Sequence, residues 1–161
     1  MLEEVLARIR GSKRVLLDTN LLLAVLVGRL DRSRIGQKRV KEFRAEELDL
    51  LEALLAKAPA LVTTTGILTE VSNLLGHLGA KHAEDGRRLL AAWIAGVDEA
   101  HRESRHVVAA PTFLRLGLTD AAIIEAATPT DLVMTADLAL YLELERLGRR
   151  VVNFNHIRML V

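Results

Sequence analysis

The 161 residues fit one domain, and with half of them apolar and only 3% aromatic the core has to be built from Leu, Val, Ile and Ala. The complete absence of cysteine excludes a disulfide framework, a thiolate zinc site and a cysteine nucleophile, and it fits a reducing compartment. A formal net charge of +1, from 22 basic and 21 acidic residues, neither demands nor excludes a nucleic-acid partner.

The opening stretch MLEEVLARIRGSKR lacks the basic start and unbroken apolar run of a secretory signal. Arg14–Leu17 is a short β-rich run. Asp18-Thr-Asn20 follows as a polar turn, and then the apolar stretch Leu21–Val27 reads as a buried helix capped by Thr19 or Asn20. That stretch is the longest apolar run and is too short to cross a bilayer, so a cytoplasmic protein with no membrane contact is expected. Glu46–Lys57 carries Leu48, Leu51, Leu54 and Leu55 at helical spacing. Ala60–Val62 reads as a second strand, and the threonines at 63 to 65 cap a helix running to about Leu78. A further helix covers roughly His82–Ala95, and another precedes His106.

His106–Ala109 is the candidate third strand. Leu118-Thr-Asp120 opens a helix through Ala127, with Thr119 as its cap and Pro129 as its stop. Asp131–Thr135 is the fourth strand. Ala136-Asp137 starts a helix that ends near Leu147, with Gly148 just beyond it. Arg150–Asn153 is the fifth strand. Short apolar strands alternating with helices predict an α/β fold: a parallel sheet covered on both faces, in three α/β/α layers. The whole chain is expected to form a single domain.

The acids fall at repeated topological positions. Asp18 closes the first strand, and Asp137 lies just past the fourth. Asp120 sits in the first turn of its helix, and Glu70 in the first or second turn of the helix after the second strand. In an open α/β sheet, ligands bind outside the carboxyl ends of the strands, so all four acids are placed to converge on one rim. Four adjacent carboxylates repel one another. A hard divalent cation, Mg²⁺ or Mn²⁺, removes the conflict, and two such ions suit in-line displacement at phosphorus with water as nucleophile. No GxxxxGK[ST] or GxGxxG cradle is present, which argues against a nucleotide-dependent enzyme. Taken singly, an Asp at a helix start is ordinarily a cap; the set of four is far more specific. Thr135 is placed to hydrogen-bond a carboxylate or a metal-bound water, or equally to act as a cap, and Asn20 to orient Asp18 or cap its helix.

Charge is unevenly spread. Between positions 29 and 44 stand Arg29, Arg32, Arg34, Lys38, Arg39, Lys41 and Arg44, against only Asp31 and Glu42. Such a segment is either an ordinary solvated helix or loop, which charge alone slightly favours, or a grip on a phosphate backbone through Arg29, Arg32, Arg34, Lys38, Arg39 and Lys41. The five histidines lack zinc-site spacing. Trp93 is expected in a core or an interface. The scarcity of aromatic residues argues against base-stacking platforms.

Val15-Leu-Leu-Asp18-Thr-Asn20, Thr65-Gly-Ile-Leu-Thr-Glu70-Val, Leu116-Gly-Leu-Thr-Asp120-Ala-Ala-Ile-Ile and Val133-Met-Thr135-Ala-Asp137-Leu resemble, in order and rough spacing, the motifs of PIN-domain nucleases. The resemblance covers about Lys13 to Phe154. It implies a five-stranded parallel sheet and Mg²⁺- or Mn²⁺-dependent phosphodiester cleavage, most often of RNA. By position it assigns Asp18, Glu70, Asp120 and Asp137 to the acidic metal site and Thr135 to a supporting hydroxyl. Many relatives of this type are VapC-type toxins that form homodimers and pair with a small antitoxin. Here the helices between Leu68 and Ala95 are the expected dimer face. Two segments fall outside the resemblance: the basic stretch at about 29–44, which looks like an insertion, and His156–Val161. The other readings are a phosphatase using Asp18 as nucleophile, weakened by Asn20 where a second Asp belongs, and a non-catalytic PIN-fold RNA-binding or interaction module. Asp18→Asn or Asp137→Asn is expected to abolish turnover while keeping the fold.

Overall fold

Val15–Leu17 (β1), buried along its whole length, is the middle strand of a five-stranded sheet in the computed structural model, which describes residues 1–161. Its partners are Leu61–Thr63 (β2) on one side and Leu132–Thr135 (β4) on the other. Asp98–Glu99 (β3) and Val151–Asn153 (β5) form the edges. The order is β3-β2-β1-β4-β5, and every pairing is parallel. Val15 lies opposite both Leu61 and Leu132, so the three central strands begin and end together. Their apolar sequences fit a sheet covered on both faces.

The helices are Leu2–Arg10 (α1), Thr19–Leu30 (α2), Ala45–Leu55 (α3), Thr65–Gly76 (α4), Ala80–Ala95 (α5), Ser104–Val107 (α6), Thr112–Leu116 (α7), Leu118–Ala126 (α8), Leu138–Arg146 (α9) and Phe154–Ile157 (α10). The arrangement is the α/β fold expected, a parallel sheet with flanking helices in three layers. Every residue of α2 from Leu21 to Val27 is buried, as a helix apolar on all sides must be. It packs against α3, α4 and α5. At Gly28 a Cβ would stand 2.1 Å from a methyl carbon of Leu48, so glycine lets α3 approach α2 closely. One contiguous aliphatic core runs from Val5 to Ile157 and includes Trp93. No helix is long and apolar enough to cross a membrane.

The sequence reading needs correction at several elements. His106–Ala109 is not a strand: Ser104–Val107 is a helical turn packed on α8, and only Val107 of the run is buried. The third strand is Asp98–Glu99, two exposed acids on a sheet edge, where charge guards against further pairing and no apolar alternation marks the strand. The helix α1 was not anticipated. It has Glu3 and Glu4 in its first turn and Arg8 and Arg10 in its last, charges that complement the helix dipole. Asp18 itself, rather than Thr19 or Asn20, caps α2. Gly117, at φ 82°, occupies the cap position of α8 in place of Thr119, a conformation suited to glycine.

Candidate active site

Three central strands end at side-chain helix caps. Asp18 after β1 accepts from the Leu21 N–H at 2.9 Å, Thr64 after β2 from Ile67, and Asp137 after β4 from Leu140 at 2.9 Å. A parallel sheet whose strands turn directly into helices thus gathers caps, and the partial positive charge of the helix starts, on its carboxyl rim. Asp18, Asn20, Glu70, Asp120 and Asp137 line one open cavity there of about 390 Å³. No lysine or arginine lines that cavity.

Each acid is held differently. Asp18 is 4% exposed. Its Oδ2 accepts from the Thr135 hydroxyl and from the Ala136 N–H at 2.9 Å, and its Oδ1 from Leu21. A carboxylate oxygen has about two lone-pair positions, so Oδ2 is saturated and Oδ1 keeps one position free. Burial pushes the Asp18 carboxyl above its usual range. The bonds from Thr135, Leu21 and Ala136 pull it back in part, and the charge of Asp137 pushes it up again. Thr135 also accepts from the Asp137 N–H at 2.9 Å, so one hydroxyl ties the strand's two acids together. Asn20 neither bonds Asp18 nor caps α2; the cap is Asp18, and Asn20 stands exposed in the cavity wall.

Glu70, on α4, is clasped by two hydroxyls that the sequence reading took for caps. Thr19 of α2 donates to Oε2 at 2.8 Å and Thr119 of α8 to Oε1 at 2.5 Å. Asp120 has no such support. Burial first, then the charges of Asp137, Asp18 and Glu70, push it up to about 7, with no hydrogen bond opposing them. The charges of Asp137, Asp18 and Glu70 thus all bear on Asp120.

The basic segment divides. Arg29 pairs with Glu52 at 2.7 Å and lies over the Trp93 ring, and Arg32 pairs with Asp49 at 2.6 Å. Arg34 faces Asp31, and Arg44 pairs with Glu47 at 3.1 Å. Arg29, Arg32 and Arg34 are thus engaged within the fold, against the reading in which the whole segment grips phosphate. Lys38, Arg39 and Lys41 form no ion pair and line a second cleft, of about 720 Å³, which shares Asn20, Leu74 and Asp137 with the acidic cavity.

As the side chains stand, no three acidic or histidine groups converge on one point suited to an ion. Repulsion keeps bare carboxylates apart, and Mg²⁺ takes few protein ligands while retaining waters. The donor chemistry nonetheless fits hard cations: carboxylate oxygens only, uncompensated by any cation in the cavity, with Asp120 lacking a protein donor. A phosphatase-like role for Asp18 fits poorly, because a buried carboxylate with one oxygen saturated is a weak nucleophile. No protein-family model matches the chain, and no curated protein matches it.

Proposed function

We propose that this protein is a divalent-metal-dependent nuclease of the PIN type, an endoribonuclease that uses Asp18, Glu70, Asp120 and Asp137 to hold Mg²⁺ or Mn²⁺. The observation that carries the reading is the acidic cavity with no cation in its lining, in which burial first, and then three neighbouring carboxylates, drive Asp120 up to about 7. Such a set is costly unless something positive enters it. When bound, the ions would supply charge stabilisation at phosphorus and an activated water. The chain's own part is to fix the ligands. Thr135 and two backbone N–H groups lock Asp18, Thr19 and Thr119 aim Glu70, and the cap of α9 sets Asp137. Asn20 lies at the cavity wall.

The test is cleavage of a mixed structured and single-stranded RNA pool with Mn²⁺, with Mg²⁺ and with chelator, alongside Asp120→Asn protein. We expect cleavage only with metal, reduced at least about 100-fold in the variant. Equal cleavage by wild type and variant identifies a contaminant and overturns the reading.

A second reading, a non-catalytic RNA-binding module, is favoured by the lack of three converging ligands. RNA binding with no cleavage under either metal supports it. The resemblance also carries a role as the toxin of a toxin–antitoxin pair and a homodimer. Between Leu68 and Ala95 the large apolar side chain left exposed is Ile94, whereas Leu114, Leu118, Leu138 and Leu142 are exposed on α7–α9. A solution mass that stays monomeric at all concentrations removes the dimer.

A further inference from the structure

The two segments outside the family resemblance pack on each other. Arg158 donates to the Glu42 carbonyl at 2.9 Å and lies over the Phe43 ring, and Arg44 donates to the Val161 carbonyl at 2.9 Å. Phe43 in turn meets Phe154 of α10, with ring centroids 6.4 Å apart. Val40 and Phe43 are buried beneath this contact, at 3% and 5% exposure. Lys38, Arg39 and Lys41 are therefore displayed on a turn anchored from below rather than on a loose loop. Lys38 even holds φ at 45°, the one non-glycine residue in the left-handed region, a conformation kept only where surroundings enforce it.

These three cations line the cleft that adjoins the acidic cavity, together with His77 and with the acids Glu42 and Asp137. On the other side of the acids, a cavity of about 390 Å³ shares Glu70, Leu118 and Thr119 with the centre. Its one arginine, Arg102, is spent on the Glu125 and His101 carbonyls. The trough across the rim is thus strongly cationic on one flank only. Of the two rings lining the cleft, Phe43 is buried and only His77 is exposed, so recognition there rests mainly on the phosphate backbone.

We infer that Lys38, Arg39 and Lys41 form a phosphate-gripping subsite for the polynucleotide strand on one flank of the acidic centre, built by the joint packing of the 38–44 and 154–161 segments. The inference rests on the nuclease reading for what happens at the centre, but the grip itself is measured without cleavage. A preset turn loses less freedom on binding than a flexible one.

The experiment is fluorescence anisotropy of labelled single-stranded RNA and DNA 20-mers with the full chain in chelator, over a salt series. The proteins are wild type, Lys38→Gln/Arg39→Gln/Lys41→Gln, and Arg29→Gln/Arg32→Gln, each with its thermal midpoint measured to confirm folding. Removing three phosphate contacts from a single strand lowers the log–log salt slope by about 2, and weakens binding about 100-fold near 0.1 M salt. The Arg29/Arg32 variant is expected to keep the wild-type slope. The RNA and DNA arms show whether the grip reads sugar as well as phosphate. A folded triple variant with wild-type slope overturns the subsite, as does a wild type that binds neither strand. If the slope falls as expected but wild type never cleaves with metal, the subsite stands and the nuclease reading fails. If wild type cleaves and the slope is unchanged, the reverse holds.

Discussion

Asp120 is the acid that the fold leaves unsupported, and this makes it the most informative residue to change. Its carboxyl is raised to about 7, so in the metal-free protein its contribution to stability is full below the ordinary carboxylate range and is lost as pH rises through about 7. Metal-free Asp120→Asn should therefore melt higher than wild type at pH 8, by less at pH 5, and by nothing only below the ordinary carboxylate range. Mn²⁺ at pH 8 should raise the wild-type midpoint more than that of the variant. Equal midpoints at both pH values would show that Asp120 does not feel its neighbours. Asp18 is the opposite case. An amide there would turn an N–H toward the donors of Thr135 and Ala136 or of Leu21. Asp18→Asn is thus expected to lower stability as well as turnover, and Asp120→Asn is the cleaner test of chemistry.

At the scale of elements, the acids were legible because each follows an apolar strand or opens a helix, and chain order alone places such positions on the carboxyl rim. The hydroxyls around Glu70 were not, because their partners lie 51 and 49 residues away in sequence. Local reading assigns such threonines to the nearest helix start. The missed strand has the same kind of cause: Asp98 and Glu99 are exposed acids on the sheet edge whose side-chain partners, Arg14 and Thr65, lie far off in sequence, while the β-branched run at Val107 and Val108 folds as a helical turn. Through Thr19 and Thr119, Glu70 fastens α4 to both α2 and α8. Thr19→Val/Thr119→Val should raise the Mg²⁺ concentration for half-maximal cleavage by about 10–100-fold, with RNA affinity in chelator unchanged. An unaltered metal requirement would show that the clasp has no part in positioning.

Over the whole molecule, the two ends of the sheet do different work. At the amino end, Arg14 forms a two-pronged pair with Asp131, at 2.9 and 2.8 Å, where the Asp131 side chain is fully buried. Burial raises the Asp131 carboxyl, but Arg14 and the N–H and hydroxyl of Thr128 outweigh it and hold it below its usual range. That contribution is present above the ordinary carboxylate range and is lost as pH falls through the lowered value. Metal-free stability should then fall in two windows: in acid through Asp131, and between the ordinary carboxylate range and about pH 7 through Asp120. Asp131→Ala leaves a largely buried guanidinium with only its longer contact to exposed Asp98, at 3.4 Å, and is expected to cost about 3 kcal/mol in urea unfolding, with cleavage by the folded fraction intact. A loss under about 1 kcal/mol would show the pair to be no more than a surface bridge. Asp18 joins the two kinds of work in one side chain, since it caps the buried central helix and also lines the acidic cavity. Descendants freed from selection for cleavage would therefore not shed their acids at random. Asp120 would drift first, while Asp18 would persist as a relic kept by folding.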